Sequence, residues 1–226
     1  MEEFKVAIII PAYNEEHTIE SVVSSVISFG SVIVVNDGSS DSTGLVAQNA
    51  GAIVVNHELN IGYDGALNSG FEKTEELGFA AAITFDADAQ HESKTIPIFI
   101  NKLKQNNDLI LGVRAKTQRI GELVFQIYSK KILNWTDPLC GMKGYSLKLY
   151  KELGYFDSYH SIGTELAAFG LSNGYSSCEV FVPTNDREDK PRFSSLLKAN
   201  LIIIRSLIIL IVKNYNLPEV ILTVEE

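Results

Sequence analysis

Residues 5–16 read KVAIIIPAYNEE and residues 31–43 read SVIVVNDGSSDST. Each is a run of aliphatic, largely β-branched residues that stops at a cluster of Pro, Asn, Asp, Ser and Glu. A run that is apolar at consecutive positions predicts a strand buried on both faces, the habit of a parallel sheet. The pattern places strands at Lys5–Ile10 and Ser31–Val35, and recurs at Ala52–Val55, Ala80–Phe85 and Asp108–Leu111. Between them the spacing turns helical. Glu15–Ile27 sets Ile19, Val22, Val23, Val26 and Ile27 on one side, and Ala66–Leu77 and Thr95–Lys104 behave alike. Strand–helix alternation predicts an α/β fold, a Rossmann-like, mostly parallel sheet flanked by helices. Ligands of such sheets bind beyond the carboxyl ends of the strands. The chemistry should therefore sit just after each apolar run.

The second half is less regular. A helix is expected over Ile120–Leu133, a turn-rich segment over Trp135–Gly144, and short helices near Leu147–Leu153 and Thr164–Leu171. A strand follows at Ser177–Val182. The 226 residues show no repeat and no Pro/Gly-rich linker, so one main unit is expected over 1–193, followed by an apolar helix and acidic tail over 194–226. The formal net charge is −9, which argues against binding to a nucleic-acid backbone. Cys140 and Cys178 form no C-x-x-C pattern, so neither a zinc site nor a disulfide framework is expected. The acidic N-terminus and its short apolar run read as a first strand, not a signal peptide.

Three strand ends carry the chemistry. Pro11-Ala12-Tyr13-Asn14-Glu15 offers a ring to stack on a base and a carboxylate to accept from base N–H groups, although acids also favour a helix N-terminus. Asp37 follows the second run directly, within a stretch rich in natural helix caps. Residues 60–70, NIGYDGALNSG, open a helix with small residues, so that Gly65 lets a ligand approach the backbone closely. The segment lacks the Walker A lysine and the G-x-G-x-x-G spacing. The sharpest signal is Asp86-Ala87-Asp88-Ala89-Gln90-His91. Residues two apart in extended chain share a side, so Asp86, Asp88 and Gln90 can converge on Mg²⁺ or Mn²⁺, completed by phosphate oxygens. His91 has no second histidine at ligand spacing and is at most a substrate contact.

In this order the segments resemble the family 2 glycosyltransferases of the GT-A fold, and within them the polyprenol- and dolichol-phosphate sugar synthases. The matching pieces are Ile8–Glu16, Val34–Thr43, Asn60–Gly70, Asp86–His91 and Thr136–Tyr145, within a resemblance spanning roughly Lys5 to Arg192. It implies a metal-dependent, inverting transfer from a nucleotide-sugar. Pro11, Ala12, Tyr13, Glu15, Asp37, Gly65, Asp86 and Ala87 would hold the nucleotide; Asp86, Asp88 and Gln90 would hold the metal. Arg114 matches a basic residue after the fifth strand, and Glu165 an acid often assigned as base. Asp88, Arg114 and Glu165 are thus the catalytic candidates. Asp137, Arg187 and Arg192 would meet the acceptor or diphosphate, Asp137 by bonding sugar hydroxyls. Asn36 stands where many relatives have an Asp, and Lys190 where a Gly is usual. If the acceptor is a hydroxyl, Glu165 is the best base candidate; an ionised lipid phosphate needs no strong base, and Glu165 then only positions groups.

The tail helix, Leu196–Val212, has 13 apolar residues among 17, with Lys198, Arg205 and Lys213 forming a narrow basic stripe. It is shorter than the ~18 uninterrupted apolar residues of a membrane span. Too many of its sides are apolar for one small core contact, so a membrane surface or a homo-oligomer partner is favoured over the protein's own core. The expected location is cytoplasmic, peripheral on the inner face of the cell membrane. Residues 187–213 carry six basic and two acidic side chains, so an anionic partner is compatible with an acidic protein. Two alternatives stand beside a polyprenyl-phosphate acceptor: a glycan or lipid-linked glycan hydroxyl, and a non-catalytic nucleotide-sugar-binding protein.

Overall fold

The computed structural model describes residues 4–88, 92–115, 120–183 and 196–213. Its strands are β1 (Val6–Ala12), β2 (Ser31–Asp37), β3 (Ile53–His57), β4 (Ala81–Thr84), β5 (Leu109–Val113), β6 (Lys143–Ser146) and β7 (Ser177–Phe181). They form one seven-stranded sheet in the order β3-β2-β1-β4-β6-β5-β7. All pairings are parallel except those of β6, which runs antiparallel to both β4 and β5. Each of the five strands expected from the first half is present.

The helices are α1 (Ile19–Val26), α2 (Thr43–Asn49), α3 (Tyr63–Glu76), α4 (Ile96–Lys104), α5 (Ile120–Leu133), α6 (Leu147–Leu153), α7 (Glu165–Ser172) and α8 (Leu196–Val212). The period-two alternation of the strands divides the core in two. Val6, Ile8 and Ile10 of β1 point into the layer closed by α1, α2 and α4; Ala7 and Ile9 point into the layer closed by α3, α5, α6, α7 and α8. This is why β1 is apolar at every position: neither of its faces meets water.

Two elements differ from the sequence expectation. The segment 43–49, for which no helix was expected, forms α2 directly after the cap-rich stretch, with Thr43 and Ala47 buried. The turn-rich stretch beginning at Trp135 leads directly into β6, whose four residues are too short, and too rich in Lys and Gly, to show a strand period. Tail helix α8 turns one flank inward. Ala199, Ile203, Leu207 and Leu210 are buried, the last three in the larger core layer. Along one flank the helix belongs to the protein's own core. No helix among the described residues is long and apolar enough to cross a membrane.

Candidate active site

The parallel strands β1, β2, β4 and β5 all deliver their carboxyl ends to one edge of the sheet, and antiparallel β6 starts there, with Lys143 paired to Thr84 and Leu111. Residues that sequence reading scattered over a hundred positions thus share one rim. The loops after β1 and β2 are laced together. Asn14, held at φ 53, donates its N–H to Ser39 Oγ at 3.0 Å and accepts from the Ser40 N–H at 2.9 Å. The Glu15 N–H donates to Thr43 Oγ1 at 2.8 Å, and the Glu15 carboxylate accepts from Thr18 Oγ1 at 2.9 Å. Pro11 and Ala12 are buried beneath this lacing, whereas the Tyr13 ring is about half exposed at 48%. It stands clear of the core.

Asp37 is buried, and its partners are internal. Its carboxylate accepts from the N–H groups of Ile61 at 2.9 Å and Gly62 at 2.8 Å, and lies 2.8 Å from His57 Nδ1. His57 Nε2 reaches Ser69 Oγ at 3.0 Å. Asp37 therefore fixes the loop that opens α3, and with it Gly65 in the first helical turn. Any ligand contact by this carboxylate is additional to that duty. Asp64, which sequence reading passed over, is likewise buried and accepts from Ile162 N–H at 3.1 Å and Gly163 N–H at 2.6 Å. Burial, then the nearby Asp157, push its carboxyl up to about 7. Through it the start of α3 holds the 157–164 loop.

Asp86 and Asp88 lie just past β4 and are both partly exposed, with Ala87 buried between them. Tyr63 OH lies 3.5 Å from Asp86 Oδ1. Gly141 faces the same carboxylate so closely that a Cβ there would stand 2.1 Å from Asp86 Oδ2. Among the described residues no three His, Cys, Asp or Glu side chains gather to hold a metal. Within those residues the chain past β4 offers two carboxylates, Asp86 and Asp88. Two carboxylates with the remainder from substrate phosphates is the usual way Mg²⁺ is held, so the donor set fits such an ion. Replacing Gly141 by Ala is expected to displace Asp86 and lower turnover about 10–100-fold, since small misplacements near reacting groups carry costs of that size. A cation titration of the variant's rate would check this; an unchanged rate and cation requirement would count against it.

Below this rim lies a cation absent from the sequence reading. Lys143 is fully buried, donates to the Cys140 carbonyl at 2.7 Å and stands over the Trp135 ring at 5.6 Å. Burial lowers its pKa, against the opposing influence of neighbouring acidic groups that include Asp137 and Asp86. A lone Lys in a short apolar-flanked run was the only signal available. Burial also pushes the Cys140 thiol up to about 12, so it packs and does not attack.

Arg114 and Asp137 meet, and this revises the expectation for Asp137. Arg114 Nε and Nη2 donate to its two oxygens at 2.8 and 2.9 Å, and the Arg114 N–H adds a third bond at 3.1 Å. The Asp137 carboxylate is turned to the guanidinium and almost wholly buried, which leaves little of it for sugar hydroxyls. Burial alone would raise its pKa, but the Arg114 bonds outweigh that and hold it below the usual carboxylate range. Glu122 of α5 completes the cluster, 3.5 Å from Arg114 Nη2. Glu165 is fully buried at the start of α7. It accepts from the Ser158 N–H at 2.6 Å and Ser158 Oγ at 2.9 Å, and pairs with Lys213 at the end of α8. Its carboxylate anchors the 157–165 loop to the tail helix. Gln90, His91, Arg187 and Arg192 lie outside the described residues.

A model described as "Glycosyl transferase family 2" matches residues 7–161, which span β1 to the loop held by Asp64. The chain belongs to glycosyl transferase family 2. A relative from Methanococcus voltae named UDP-N-acetylglucosamine--dolichyl-phosphate N-acetylglucosaminyltransferase is 29% identical over 178 residues, 65% of this chain and 71% of its own. A dolichyl-phosphate hexose transferase from Haloferax volcanii is 25% identical over 194 residues, 80% of this chain and 83% of its own. Among solved structures, glucosyl-3-phosphoglycerate synthase from Mycobacterium tuberculosis, in complex with Mn²⁺, UDP and phosphoglyceric acid, is similar with a TM-score of 0.76. It is 21% identical and covers 96% of this chain and 80% of that one. That likeness is one of fold, and it places this family 2 glycosyltransferase in the GT-A architecture expected from its sequence.

Proposed function

We propose that this glycosyltransferase moves a sugar from a nucleotide-sugar to a polyprenyl phosphate, with inversion at the anomeric carbon and with Mg²⁺ or Mn²⁺ as cofactor. One observation carries the choice of acceptor: Glu165, the residue matched to a base, is fully buried and bonded to Ser158 and Lys213. An acceptor hydroxyl must lose its proton to a base within reach. A phosphate already carries an ionised oxygen at neutral pH and can attack without a base. The dolichyl-phosphate acceptors named for the Methanococcus and Haloferax relatives support the same reading.

In this reading Tyr13 stacks on the base while Pro11, Ala12, Glu15 and Asp37 frame the nucleoside. The start of α3, with Gly65 in its first turn, faces the diphosphate with its N–H groups. A divalent cation held by Asp86 and Asp88, with Gln90 as a further oxygen, would neutralise charge that builds on the leaving diphosphate. The acceptor phosphate oxygen donates its electron pair to the anomeric carbon. The bond from that carbon to the diphosphate oxygen breaks, and the nucleoside diphosphate departs with that pair. Arg114, paired with Asp137, fixes the chain that follows β5 beside the site, and Arg187 and Arg192 are assigned to the acceptor phosphate. The acceptor's lipid chain places the reaction at a membrane surface.

The test is a screen of nucleotide-sugars with Mn²⁺, offered polyprenyl phosphate or glycan acceptors, with products read by mass spectrometry. A sugar linked to polyprenyl phosphate is the expected product. Transfer only to glycan hydroxyls would replace the acceptor, and nucleotide-sugar binding without any turnover would overturn the enzymatic reading.

A further inference from the structure

We propose that the outer faces of α5 and α8 together form the surface by which the protein docks on an anionic lipid bilayer. The inference deepens the reading of a lipid-linked acceptor and rests on it for the choice of lipid over protein.

The two helices pack directly on each other and bury side chains in the same core layer. At their junction the Gly121 N–H donates to Asn200 Oδ1 at 2.9 Å, and a Cβ on Gly121 would stand only 2.8 Å from that oxygen. Their opposite sides therefore turn outward together. Outward on α5 are Ile120, Leu123, Val124 and Ile127, at the i, i+3, i+4, i+7 spacing of a single helical stripe. Outward on α8 are Leu201, Ile204, Ile208, Ile211 and Val212. Two of these, Ile120 and Val212, are more than three-quarters exposed, at 79% and 76%. A soluble monomer seldom leaves so many large aliphatic side chains side by side in water; such a face marks a membrane or partner contact.

Charge selects the lipid. In a chain of net charge −9, residues 120–133 and 196–213 hold five basic side chains and one acidic. The single acid, Glu122, is buried and turned inward to Arg114. Lys130 and Lys131 are exposed at the end of α5. A face that is aliphatic at its centre, and from which acids are excluded, suits an anionic headgroup layer. The same charge on a second copy would repel. The tail's basic residues are partly spent elsewhere: Arg205 donates to the Tyr159 carbonyl at 3.1 Å, and Lys213 to Ser158 Oγ at 2.9 Å and to Glu165. Instead of facing lipid, they tie α8 to the 157–165 loop. The inner sides of the two helices thus hold Arg114, through Glu122, and that loop, so docking would set the acceptor-facing rim at a fixed position relative to the bilayer.

The experiment uses the full chain with vesicles of phosphatidylcholine alone or mixed with phosphatidylglycerol, read by co-sedimentation, and light scattering for oligomeric state. A variant carrying L123S, I127S, L201S and I208S changes exposed side chains only. The wild type is expected to sediment with anionic vesicles and the variant to bind about tenfold less, as apolar area sets such affinities. Both should process a short, water-soluble prenyl phosphate equally, while only the wild type keeps full rate on long-chain acceptor in vesicles. Equal vesicle binding by both proteins, or none by the wild type, overturns the proposal. A wild-type dimer that the variant turns into a monomer, without lipid binding, overturns it in favour of a second copy. If the wild type binds vesicles yet transfers sugar to no prenyl phosphate, the docking surface stands and the acceptor assignment fails.

Discussion

Substitution of Asp88 by Ala is expected to reduce sugar transfer by about a thousandfold, the scale associated with losing one preorganised contact to developing charge. Asp88 stands beyond the end of β4, partly exposed. Because the side chain is only partly buried, removing it opens no core cavity, and the loss of activity should far exceed the loss of stability. The separation of the two effects is the diagnostic. If Asp88 holds the cation, nucleotide binding by the variant will no longer respond to Mn²⁺, while melting in the absence of ligand stays near that of the wild type. Titration calorimetry with a nucleoside diphosphate, with and without Mn²⁺, reads the first; a thermal melt reads the second. Full activity in the variant would remove the metal assignment, and a collapsed melting temperature would assign Asp88 to the fold.

The reverse pattern is expected for Arg114→Ala. The guanidinium is largely buried and neutralises Asp137 through two bonds, with Glu122 close by. Breaking a buried pair from one side strands the other charge, at about 3–5 kcal/mol. In a chain of this size that corresponds to a melting temperature lower by roughly 6–20 °C. Arg114→Lys should recover only part of the loss, because an ammonium cannot reproduce the planar, two-pronged contact. The pH dependence gives the sign independently. In the wild type Asp137 is held below its ordinary value, so its share of stability is present at neutral pH and is lost as pH falls through the folded-state value. In Arg114→Ala the same carboxyl is buried without its cation and its value rises. Its contribution is then present in acid and lost as pH climbs. The stability gap between the two proteins should therefore be widest near neutral pH and narrow in acid, which denaturant unfolding at a series of pH values will show. A constant gap would mean that Arg114 acts through packing alone.

These two residues also show what could be read in advance. Asp88 was legible because its position follows from its strand: a parallel sheet gathers its carboxyl ends, and β4 ends just ahead of Asp86 and Asp88. Arg114 was located in the same way, after β5. Its bidentate bond to Asp137 was not, because no period in the sequence tells which carboxylate, 23 positions away, a guanidinium will meet. Asp64 read as an acid in a helix's first turn, and nothing local announced that it would hold Ile162 and Gly163. Glu165 was located but not its pairing with Lys213, which depends on where the last turn of α8 comes to rest.

The sequence by itself determined the class of fold, the strands of the nucleotide-binding half and the family, because hydrophobic period and strand-end chemistry are local properties. Only the tertiary structure decided which carboxylates keep exposure and which are buried. Asp86 and Asp88 keep exposure at the rim, whereas Asp37, Asp64, Asp137 and Glu165 are buried against internal donors. The physical reason is that burying a charge is costly unless a donor is brought to it, and those donors arrive from distant parts of the chain.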